Sequence, residues 1–144
     1  MSMPGAQAAG EAPPEIALRQ GSVNHHGVME CWSIGWTITN MGGSRLIVVA
    51  VHLPHGQFKS GEHRFEPALD LAPGESEQFR LAVRCDEPAG LVTENAFIIL
   101  SVVWLGEAWR IFVRIRVVIN GQCKPETATE SITTQRVGFS GVIS

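Results

Sequence analysis

A chain of 144 residues with 17% charged side chains and a formal charge of −3 is sized for one domain that buries its own core. The slightly acidic balance argues against bulk attraction to nucleic acid. No apolar run is long enough to cross a membrane as a helix. Cys31, Cys85 and Cys123 are an odd, widely spaced set with no CxxC pair, so reduced thiols are expected rather than a disulfide framework. The first residues carry no apolar, basic-flanked leader, and the expected location is the cytoplasm.

In chain order, residues 1–15 are rich in Ala, Gly and Pro, and the expectation is a disordered segment. Residues 16–120 form the expected domain. Ile16, Leu18 and Gln20 start a strand, followed by a loop with His25 and His26. From Met29 to Asn40 the residues alternate, with Trp32, Ile34, Trp36 and Ile38 inward. Arg45 to Leu53 is a run of β-branched and aliphatic residues, expected as a strand buried on both faces or nearly so, and it stops at Pro54. His55 to Leu71 reads as a long excursion with one short strand, anchored by Phe58 and Phe65. Pro73-Gly74 suits a type II turn. Phe79, Leu81, Val83 and Cys85 then face inward, with Arg80 in water.

Asn95 to Asn120 reads as a long hairpin turning at Gly106-Glu107 in a type II′ turn, with Trp104 opposite Trp109. Ile98, Leu100, Val102, Trp104, Trp109, Ile111, Val113 and Ile115 fall on its inner face. Its outer face carries Phe97, Ile99, Val103 and Phe112 beside Arg110, Arg114 and Arg116. Residues 121–144 read as a polar tail, irregular to about Glu130. One more strand between Ile132 and Ile143 is expected, with Val137 and Phe139 as its apolar contacts.

About seven strands with regular turn signals point to an all-β fold, a two-sheet antiparallel β-sandwich. Thr37-Ile38-Thr39-Asn40-Met41-Gly42, an aliphatic strand ending at Pro54, and Leu71-Ala72-Pro73-Gly74-Glu75-Ser76 resemble text found in immunoglobulin-like modules. The likeness extends to fibronectin type III, major-sperm-protein-like and bacterial adhesion-related domains. The resemblance covers roughly Val23 to Ile119 and implies a binding or spacer module, not a specific activity.

No nucleophile elbow, phosphate loop or paired metal motif is present, so neither catalysis nor a cofactor is expected. Two alternatives carry named residues. His52, His55 and His63, near Glu62 and Glu66, could serve a metal-dependent or hydrolytic enzyme. Arg110, Arg114 and Arg116 could bind phosphate or nucleic acid, with Phe112 stacking on a base. The preferred reading is a non-catalytic interaction or assembly module. Its partner is a protein or a second copy, and its surface is Phe97, Ile99, Val103, Arg110, Phe112, Arg114 and Arg116, because a sheet face left in water normally turns polar.

Overall fold

The computed structural model describes residues 12–137. Eight strands account for nearly all of them: β1 (Ile16–His26), β2 (Val28–Asn40), β3 (Leu46–His55), β4 (Phe58–Leu71), β5 (Ser76–Arg84), β6 (Val92–Trp104), β7 (Glu107–Ile119) and β8 (Pro125–Arg136). All pairings are antiparallel, and among the described residues there is no helix. The order β1-β2-β5-β4-β3-β6-β7-β8 makes one rolled sheet whose outer strands, β1 and β8, approach each other, a nearly closed barrel. It is one strand richer than the seven expected.

The extra length comes from three places. The loop expected around His25 and His26 is the continuation of β1, which is bulged between Gln20 and Val23 and turns at Gly27. The excursion after His55 is β4, fourteen residues long, with Phe58 and Phe65 buried as its anchors. The segment expected to be irregular up to Glu130 is β8, which pairs along β7 from Pro125. Few of its residues are apolar, but four threonines favour the pleated conformation. Of the contacts expected for that last strand, Val137 donates its amide to the Ala108 carbonyl at 2.8 Å, and Phe139 lies outside the described residues. Of the expected N-terminal disordered segment, residues 1–11 lie outside too. Pro14 is buried, and Glu15 accepts from the Met41 amide.

Alternation decides the core. Trp32, Ile34, Trp36, Ile38, Phe79, Leu81, Val83, Ile98, Leu100, Val102, Trp104, Ile111, Val113 and Ile115 are buried as their spacing requires, and Trp109 is half-buried at the rim. The turn of the long hairpin, however, sits one residue earlier than the sequence suggested. Trp104 pairs with Glu107 and Val102 with Trp109, leaving Leu105-Gly106 as the two-residue loop. Both have positive φ, 53° and 77°, the signature of a type I′ turn. Moving the turn by one residue slides the pairing by two, so every side chain keeps its face.

Leu105 is 49% exposed and held in the left-handed region, where an L-residue with a bulky side chain is strained. Replacing it with Asn, the residue preferred before Gly in this turn, should raise stability by about 0.5–1 kcal/mol. Chemical denaturation checks this; an unchanged or lower midpoint would mean that the turn is not type I′ in solution.

Two packed devices hold the ends and the bulge. Trp104 closes one end of the barrel. Its indole donates to the Ala12 carbonyl at 2.9 Å, and it lies over Gly42, where a Cβ would come within 2.7 Å of the ring. Arg80, expected in open water, is instead a clamp across β5, β2 and β1. Its guanidinium donates to Ser33 Oγ (3.0 Å), Ser33 O (2.9 Å) and Ser22 Oγ (2.9 Å). Gly35 leaves it room, since a Cβ there would sit 2.8 Å from Nη1. The clamp therefore fastens the bulge of β1 to the strands beside it.

Candidate functional site

The outer face of β3, β6 and β7 carries the surface that the sequence pointed to. Phe97 pairs with Arg114, Ile99 with Phe112, Ser101 with Arg110 and Val103 with Ala108. Phe97, Ile99, Val103 and Phe112 are each half-buried, although no element lies over them among the described residues. They shield one another across neighbouring strands of the sheet. Two neighbours were missed. Ile47 pairs with Val103, and His52 with Ile99, both half-buried. The signal for Ile47 was present in the aliphatic run of Arg45 to Leu53, which lacks the polar alternation of a strand with one wet face. On the other side, β8 lays Thr133 beside Phe112 and Ser131 beside Arg114, in the plane of the sheet rather than over it.

The arginines are less free than a line of cations without acids would be. Arg116 Nε meets Glu94 Oε2 at 3.2 Å. Arg114 donates to Asn95 Oδ1 at 3.1 Å and lies 4.0 Å from Glu130. Its Nε is enclosed without a hydrogen-bond partner. Arg110 has no acidic partner among the described residues. The acids come from the start of β6 and from the bulge of β8, positions that only the assembled sheet brings alongside β7. These surface pairs contribute little stability, but they cancel most of the local positive field on which phosphate recognition would depend.

The histidine alternative does not converge on one place. His52 lies on the outer face opposite Ile99. His55 turns back on its own hairpin, where Nδ1 accepts from the Gln57 amide at 3.0 Å. His63 sits edge-on to Phe65, with ring centroids 5.1 Å apart, along the open side of β4. Among the described residues no three His, Cys, Asp or Glu side chains are grouped to hold a metal ion. All three cysteines are free. Cys85 is buried below the Trp32 indole, which donates to its carbonyl at 3.0 Å, and burial pushes its thiol up to about 11, so it stays protonated and unreactive at neutral pH.

No protein-family model matches the chain, and no curated protein matches it.

Proposed function

We propose that the protein is a non-catalytic interaction or assembly module that self-associates through the outer face of β3, β6 and β7. The observation that carries this reading is the row Phe97, Ile99, Val103 and Phe112, continued by Ile47, on a sheet face that β8 flanks without covering. Aromatic side chains beside arginine are the composition that interface cores enrich. A two-fold axis through the row lets one patch meet its own copy, the simplest closed arrangement.

The apolar row offers a few hundred Å2, at the upper end of what a monomer leaves open. A stable interface takes roughly 800 Å2 from each partner. The contact must therefore extend over the flanking Arg110, Arg114 and Arg116, whose stems supply apolar area while their heads reach acceptors at the rim.

The finer architecture supports the same class. β4 and β5 share a single bridge, Lys59 with Arg84, and β1 meets β8 without a backbone ladder. These two weak junctions favour reading the barrel as opposed sheets of three and five strands, in the manner of immunoglobulin-like modules.

Phe112→Glu is the test. A carboxylate at the centre of the row cannot be buried against a second copy without a partner charge. Phe112 is not in the core, so the fold should survive. Light scattering at high micromolar concentration should show the parent assembled and the variant shifted to monomer, with matching circular dichroism. A monomeric parent under those conditions would overturn the reading.

A further inference from the structure

The junction between β1 and β8 is closed by side chains, chiefly Gln20. Their backbones form no ladder. The Gln20 carboxamide spans the gap, donating from Nε2 to the Pro125 carbonyl (3.1 Å) and accepting at Oε1 from the Thr127 amide (2.8 Å) and hydroxyl (2.6 Å). A second link runs from the Thr129 hydroxyl to the Leu18 carbonyl at 3.4 Å. Position 20 thus lies near 125–127 and position 18 near 129, so β1 and β8 run antiparallel.

The pattern of the two amide bonds is informative. A residue of a strand running parallel to a neighbour donates its N–H to the carbonyl before the facing residue and accepts from the N–H after it. Gln20 does this around Glu126, bonding Pro125 O and Thr127 N. Its side chain is a stand-in for one residue of a strand that is not there. Beside it, a groove of about 400 Å3 opens between the two strands. Its floor is Leu18, Trp36, Ile98 and Ile115, and Arg19 stands at its lip with no acidic partner among the described residues.

We propose that this seam binds an extended, acidic segment of another protein, which enters as a ninth strand parallel to β8 and antiparallel to β1. Its backbone takes over the bonds that Gln20 now makes and adds rungs along both unpaired edges. Alternate apolar side chains point at the floor, and the acidic residues between them point out towards Arg19. Neutral Thr37, Thr39, Thr127 and Thr129 line the rest of the groove, and the one carboxylate beside the seam, Glu126, is turned to the Asn120 side-chain amide, which donates to it at 2.9 Å. The seam must widen to about 10 Å, two strand spacings, for the segment to enter. Gln20 is therefore a latch that competes with the segment.

The probe is the blocked peptide acetyl-Val-Asp-Val-Asp-Val-amide, titrated into the full chain and followed by amide chemical shifts and hydrogen exchange. Binding at about millimolar peptide should shift and protect the Thr127 amide. Gln20→Ala should tighten binding by about tenfold, the equivalent of one net hydrogen bond. Thr127→Val, which removes one latch bond and retains the side-chain shape, should tighten it less, and it serves if Gln20→Ala does not fold. Methylating alternate peptide nitrogens should abolish binding, and replacing Asp by Asn should weaken it in the parent but not in Arg19→Ala. Absence of binding to both the parent and a folded latch variant would overturn the proposal. So would binding that is indifferent to N-methylation, or shifts confined to Phe97 and Phe112.

Discussion

Asn40→Ala is expected to lose about 3–5 kcal/mol, a large share of a stability typically about 5–15 kcal/mol. Asn40 ends β2 and is completely buried. Its side chain donates to the Ser44 carbonyl at 2.7 Å and the Leu71 carbonyl at 3.0 Å, and accepts from the Gly42 amide at 2.9 Å. Its backbone donates to Glu75 O (2.9 Å) and accepts from Gly74 N (2.8 Å). One residue thus ties the β2–β3 turn to the turn between β4 and β5. Truncation leaves two carbonyls and one amide without partners, and each buried orphan costs about 1–3 kcal/mol. Asn40→Asp keeps the shape but turns a donor into an acceptor facing two carbonyls, so it should be comparably damaging. Urea denaturation decides between hydrogen bonding and packing. An Asp variant as stable as the parent would show that the bonds contribute little.

Leu100→Ala should cost about 2–5 kcal/mol, the range for truncating a large aliphatic in a closed core. Leu100 is fully buried and pairs with Ile111 on β7 and with Val51 on β3. The control is Val103→Ala, three residues along the same strand on the outer face, which should cost under about 1 kcal/mol when both truncations are made in the Phe112→Glu background, where no second copy covers that face. The contrast reads the alternation directly, because the two residues differ chiefly in which side of β6 they occupy. Equal losses would mean that the outer face is packed as tightly as the core, with something lying over it in solution.

The candidate surface was legible at the level of faces. Alternation with period two set Phe97, Ile99, Val103 and Phe112 on one side and Ile98, Leu100 and Val102 on the other, whatever their partners. That is why the outer face survived a turn placed one residue out: Leu105-Gly106 in place of Gly106-Glu107 slides the strands by two, and parity is unchanged. The charge balance of the same face was not legible. Glu94 and Glu130 reach Arg116 and Arg114 only because β6 and β8 flank β7 in that register.

What the sequence by itself determined is the all-β class, the inward and outward sets, and the type II turn at Pro73-Gly74, where Glu75 N donates to Ala72 O at 2.9 Å. Each depends on side chains close together in the chain: a two-residue repeat, or a proline followed by a glycine whose φ is 84°. Only the tertiary structure decided the strand order, the place of the polar strand β8, the Arg80 clamp, the Asn40 junction and the Gln20 seam. Each depends on partners far apart in the chain, as far as 107 positions for the bond between Gln20 and Thr127. A donor or acceptor in a sequence carries no mark of its partner, and almost any polar group can satisfy it. The choice is made when the apolar faces close and the polar groups left at their edges must find one another or remain unpaired.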